Sequence, residues 1–150
     1  MTISPDVHGS TSPYRVHWHV LIIHFPISFY VAAFGFQVLH LFSSPECYEQ
    51  ATNVALIAGT IVLMPTICSG WKTWKSDYQG ARVPLFQRKI AIAVAMQVLS
   101  LVLAIWRVAF AGVFESDHTN IAHWSYLLGN TLLMAGAAAE GYYGGRLNHR

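Results

Sequence analysis

Charge is what this chain has least of. Nine Lys/Arg and seven Asp/Glu in 150 residues make 11% charged positions against 54% hydrophobic ones, a balance outside the range of soluble globular domains. A soluble domain of this length could not bury so much apolar surface. With a net charge of only +2 there is no basic patch for nucleic acid, which is therefore not expected as a partner. Cysteine is scarcer still. Cys47 and Cys68 are the only two, and no C-x-x-C or C-x-x-C-H pattern occurs, which argues against covalent haem attachment and against an iron–sulfur cluster. In helical geometry, at about 1.5 Å per residue, the two lie roughly 30 Å apart, too far for a disulfide within one chain. A cleavable leader is also not expected. The first sixteen residues have no basic n-region, and the apolar run after them is too long and lacks an A-x-A-like end, so the first span is expected to be retained.

What the chain does have is long apolar runs. Four of them, about 18–42, 50–71, 88–113 and 121–143, are each long enough for a transmembrane helix, and they organise residues 1–150 as one four-span membrane domain. Residues 1–16 read as a flexible or interface-lying tail. Ser43-Ser44-Pro45-Glu46 reads as a turn, which places Cys47 in the first loop. Pro65 predicts a kink near Val62 to Pro65. The longest polar connection runs from Lys72 to about Phe86, with Gly80 and Pro84 as breakers. Arg107 interrupts the third run and is expected to snorkel or to pair with Glu115 or Asp117.

The basic residues set the orientation. With four spans, Arg15, Lys72, Lys75, Arg82, Arg88, Lys89, Arg146 and Arg150 fall on one side and Arg107 alone on the other. That bias predicts both termini in the cytoplasm. Tyr14, Trp18, Trp71, Trp74, Tyr142 and Tyr143 would form the cytoplasmic aromatic belt, and Tyr48, Trp106, Trp124 and Tyr126 the outer one. Short connections make successive helices antiparallel neighbours, so the expected fold class is all-α, an up-down-up-down four-helix transmembrane bundle.

Histidine is the residue type in these runs that could carry chemistry. In the first span, at about 100° per residue, His24, Ser28, Val31, Gly35 and Phe42 share a stripe whose small members suggest a bundle-facing side. Pro26 means that the helix either begins near Phe25 or is kinked there. His40 lies about 160° around from His24, near the outer end, and His123 opens the fourth span at the same level, with His118 in the loop before it. Bis-histidine haem in a bundle needs two imidazoles from facing helices at one depth, and His40 with His123 is the cross-helix pair that meets this. At the other level His24 has no histidine opposite; His17 or His19 from its own segment, or Met64 or Cys68 from the second span, are the possible second ligands. His19 could join His24 only if the backbone before Pro26 unwinds. Gly129, Gly136, Glu140 and Gly144 share a face of the fourth span, so Glu140 is expected to face inward as a proton-relay or imidazole-orienting carboxylate, or to pair with Arg88 or Lys89. Gln37, Gln97 and Asn130 read as interhelical hydrogen-bonding groups.

The segment His19-Val20-Leu21-Ile22-Ile23-His24-Phe25-Pro26-Ile27 resembles the opening motif of a family of small four-helix bacterial membrane proteins catalogued as a domain of unknown function. Their pattern is His-Pro, three apolar residues, then His-Phe-Pro-Ile-Ala. Ser69-Gly70-Trp71 and Gly144-Gly145-Arg146-Leu147 are similar to that family too. The resemblance implies a four-span core, in some relatives joined to c-type cytochrome modules, and so hints at membrane redox chemistry or b-type haem. Val20 stands where the family has its first proline, and Phe86-Gln87-Arg88-Lys89 opens the third span where the family commonly has a histidine.

The function expected from these residues is a redox subunit of the bacterial inner membrane. It would bind haem b or line a quinone site within a larger electron-transfer complex, with His40 and His123 as outer-side iron ligands and His24, near His19 or Glu140, as the cytoplasmic-side site. The alternative is a non-catalytic accessory subunit that contacts lipid and neighbouring subunits only.

Overall fold

A computed structural model describes residues 18–43, 46–76, 79–80, 84–110 and 121–148. Its four helices are α1 (Trp18–Ser43), α2 (Glu46–Ser76), α3 (Pro84–Ala109) and α4 (Ile121–Asn148), and no strand occurs among the described residues. His17, His118, Glu115 and Asp117 lie outside them, as does the side chain of His19, whose backbone is in α1. The helices α1 from Ile22, α2 and α3 are long and apolar enough to cross a membrane. The sequence of α4 is diluted by His123, Asn130, Glu140 and five glycines.

Pro26 does not start α1 but lies inside it, and Pro65 likewise lies inside α2. Each proline removes one helical hydrogen bond and frees the carbonyl four residues back. Hydroxyls next to both prolines bond the local backbone: Ser28 donates to the His24 carbonyl at 2.8 Å and Thr66 to the Val62 carbonyl at 2.8 Å. Both ends of the Lys72–Phe86 connection are shorter than expected. Helix α2 continues to Ser76 and takes in Lys72 and Lys75, and α3 begins at Pro84. Lysine and tryptophan do not stop a helix, and proline in the first turn favours one. The stop comes at Gln79 and Gly80, both with positive φ, where the Gly80 N–H reaches back to the Trp74 carbonyl at 3.1 Å. Cys47 falls within α2, and both cysteines are free and exposed.

Helix α1 packs on α2 and α4, and α3 packs on the same two. The last turns of α1 and α3 meet the first turns of α2 and α4, as His40, Arg107, Glu49 and His123 show. At the other end Lys89 of α3 meets Glu140 of α4. Glycines set the closest approaches. A Cβ on Gly59 would sit 2.9 Å from the Tyr30 ring, one on Gly129 2.7 Å from Leu103, and one on Gly136 2.8 Å from Met96. The α4 stripe expected to face the bundle does so, against α3.

The α1 stripe does not. Its buried face is Pro26, Tyr30, Ala33, Gln37 and His40, while His24, Ser28, Val31 and Phe42 are exposed. The small residues Ser28 and Gly35 suggested the wrong face, because the close contact with α2 is made instead by the Tyr30 ring lying over a glycine of the partner helix. Tyr126 is also turned inward, at 1% exposure, and so is not part of an outer belt.

Candidate functional site

The polar residues of the core concentrate where α1 and α3 end and α2 and α4 begin. The last two turns of α1 carry Gln37 and His40 at i and i+3, so both project from the buried face. The first turns of α4 carry His123 and Tyr126 at the same spacing. All four are buried, Gln37, His40 and His123 at 0% exposure. The His40 and His123 rings lie 5.5 Å apart between centroids, inclined by 34°.

Glu49, in the first turn of α2, faces this pair. One carboxylate oxygen accepts a short hydrogen bond from the Arg107 guanidinium of α3, and the other lies 3.9 Å from His40 Nε2. The arginine thus takes Glu49, not Glu115 or Asp117, as its partner. All four helices therefore contribute to one cluster of two imidazoles, a carboxylate and a guanidinium. Such a cluster is costly to bury in a membrane, where ionisable residues face the bundle interior and pair with one another. Trp106 packs edge-on against Tyr126 with centroids 6.5 Å apart, and Phe36 stacks on Tyr48 at 6.5 Å, closing the flanks.

The polar lining continues inward. Asn130 donates from Nδ2 to the Tyr126 carbonyl at 3.0 Å, a bond within its own helix. Neither its Oδ1 nor either polar atom of the Gln37 amide has a protein partner among the described residues. Leaving such groups unpaired in a dry core costs roughly 1–3 kcal/mol each. Gln97 does bond across helices, from Nε2 to the Thr60 carbonyl at 3.4 Å. Midway along the bundle the Tyr30 hydroxyl faces Thr60 of α2 and Ser100 of α3.

The pair supplies the donors for bis-histidine iron, two imidazoles from two helices at one level. Their centroids lie 5.5 Å apart with the ring planes inclined by 34°, so a haem between them would need both imidazoles turned to present a nitrogen to one iron.

The opposite end of the bundle holds a simpler arrangement. Glu140, 7% exposed, lies 3.5 Å from Lys89 Nζ, so of the roles open to it the ion pair is the one formed. His24 lies on the outer surface of α1, as do Met64 and Cys68 on α2, while His17 and the side chain of His19 lie outside the described residues. Among the described residues no group of three or more His, Cys, Asp or Glu is arranged to hold a metal ion.

Sequence reasoning paired His40 with His123 but overlooked Glu49 and the inward turn of Tyr126. The signal for Glu49 was its position: an acid at the start of one span, level with a lone arginine at the end of another.

A family model described as a predicted membrane protein (DUF2231) matches residues 16–150. No curated protein and no solved structure matches the chain.

Proposed function

The chain belongs to the DUF2231 family of predicted membrane proteins, and from that footing we propose that it is a redox subunit of the bacterial inner membrane that handles a quinone headgroup and its protons. The observation that carries this reading is the buried His40–His123 pair beside the Glu49–Arg107 ion pair, with the unpartnered Gln37 amide one turn deeper. The proposed architecture is a four-span, up-down-up-down bundle with both termini in the cytoplasm. The eight-to-one distribution of basic residues supports that orientation. The cluster then lies toward the outer face, and the Glu140–Lys89 pair toward the cytoplasmic face.

Quinone chemistry moves protons together with electrons. The ring nitrogens of His40 and His123 can donate or accept hydrogen bonds to such a guest. Glu49, oriented by Arg107, is placed to stabilise a proton on His40 Nε2. The Gln37 amide offers a donor and an acceptor to a ring carbonyl. The electron donor and acceptor would belong to neighbouring subunits.

The test is to extract and quantify quinone from protein purified in mild detergent, with visible spectra taken before and after dithionite reduction. Native protein should retain quinone, and His40→Ala and Gln37→Leu should each lower its content about tenfold. A Soret band that disappears in His40→Ala but persists in His24→Ala would move the site to haem b, with α1 and α4 parted around it. Absence of both quinone and haem from native protein would overturn the redox reading. It would favour an accessory subunit, for which the outward-facing His24–Ser28–Val31–Gly35 stripe of α1 offers a surface for another helix.

A further inference from the structure

Inward from the histidine cluster, buried polar side chains continue along the bundle core and then stop. One turn in from His40 lie Gln37 of α1 and Thr52 of α2, both fully buried. Asn130 of α4 and Ser100 of α3 follow, equally buried, and then Tyr30, whose hydroxyl faces Ser100 and Thr60. Gln97 reaches from α3 to the Thr60 carbonyl. Ten residues of α1 separate His40 from Tyr30, which is about 15 Å of helix. The Gln37 amide and Gln97 Oε1 have no protein partner among the described residues.

The next layer is apolar. Leu63 of α2, Met96 of α3, and Leu133 and Ala137 of α4 fill it, all buried in one cluster. Among the described residues no buried polar side chain falls between Thr60 and Thr66 of α2, between Lys89 and Gln97 of α3, or between Asn130 and Glu140 of α4. Beyond the layer come Thr66 and the Lys89–Glu140 pair. Met96 rests on Gly136, where a Cβ would lie 2.8 Å from its sulfur, and an unbranched thioether repacks more readily than a branched side chain.

Ordered water meets buried amides and hydroxyls of this kind. Chains of such groups relay protons, whereas an apolar constriction interrupts them by excluding water. Among the described residues no charged side chain is buried between the level of Glu49 and Arg107 and the apolar layer, so a desolvated ion finds no counter-charge there. We propose that the bundle core is a gated proton path: a hydrated shaft from the histidine cluster to Tyr30, closed toward the Lys89–Glu140 end by the layer of Leu63, Met96, Leu133 and Ala137. Its use, bringing protons to the histidine cluster, rests on the reading of that cluster as a quinone site; its conduction does not.

The full chain in liposomes, with a pH-sensitive dye inside and a potassium diffusion potential set by valinomycin, tests the path. Native protein should be as proton-tight as protein-free liposomes. Met96→Gln and Leu133→Asn each put a polar group into the layer and should raise the proton flux about tenfold. Adding Gln37→Leu and Tyr30→Phe should return it to the native level. Leu132→Asn makes a matching change on the outer side of α4, where Leu132 is exposed, and should not conduct. Circular dichroism identifies folded variants before comparison. Hydroxyl-radical labelling of native protein needs no variant: relative to the unfolded chain, Tyr30 should be labelled in spite of its burial and Leu63 protected. Conducting native protein, tight liposomes from both layer variants, a flux that survives Gln37→Leu with Tyr30→Phe, or an unlabelled Tyr30 would overturn the proposal. Quinone content reports independently: protein that retains no quinone but whose layer variants conduct loses the redox reading and keeps the path.

Discussion

The imidazoles of His40 and His123, eighty-three residues apart in sequence, lie 5.5 Å apart in a wholly buried site. One belongs to the last turn of α1 and the other to the first turn of α4. Their proximity depends on Glu49 and Arg107, which tie the other two helices to the same level.

That tie should be measurable. Arg107→Met leaves the Glu49 carboxylate without its cation at a partly buried position, and the expected cost is about 3 kcal/mol. Adding Glu49→Gln should recover at least half of it, because the uncompensated charge is removed. Reversible unfolding in mixed micelles, followed by helical circular dichroism, gives the coupling, and strictly additive effects would mean that the pair does not hold the helices together.

The glycines separate packing from propensity. Gly59→Ala puts a methyl group 2.9 Å from the buried Tyr30 ring and should cost about 1–3 kcal/mol through overpacking. Gly35→Ala meets nothing within 4 Å and should be neutral or stabilising by up to about 1 kcal/mol. If the two variants melt alike in the same micelles, the close α1–α2 approach is wrong.

The Lys89–Glu140 pair makes a parallel case at the other end of the bundle. Lys89→Met strands a carboxylate that is 7% exposed, and a loss of roughly 3 kcal/mol is expected. Lys89→Met with Glu140→Gln should regain most of that stability. If the single and double variants unfold at the same denaturant concentration, Glu140 does not depend on Lys89.

Topology can be read with reporter fusions. An alkaline phosphatase domain joined after Gly80 should be inactive, and one joined after Phe110 active. The opposite pattern would place the histidine cluster on the cytoplasmic face and the Lys89–Glu140 pair on the outer one.

Much of this molecule was legible in one dimension, for reasons that differ by residue. The four helices followed from the lengths of the apolar runs. The errors came at their ends, because Lys72, Trp74 and Pro84 look like loop residues by polarity or rigidity yet are compatible with helix. The pairing of His40 with His123 was readable because depth along a span follows from counting residues. Facing direction was harder. His24 shares a stripe with small residues, and helical periodicity tells which residues share a face without telling which face is buried. Nothing local in α1 distinguishes the Tyr30 face from the His24 face, since the choice depends on Gly59 in another helix. The Glu49–Arg107 contact is not local in sequence: 58 positions separate the two residues, whereas Glu115 and Asp117 are close neighbours of Arg107.

The composition of α4 bears on how the protein is made. On the four-span reading, its histidine, asparagine, glutamate and glycines become acceptable in lipid only once His40, Leu103, Met96 and Lys89 are there to receive them. The helix would then be a dependent passenger of biogenesis, held near the insertion machinery until the first three have assembled. A truncated chain ending after α3 should integrate by itself, whereas α4 expressed alone should remain outside the bilayer.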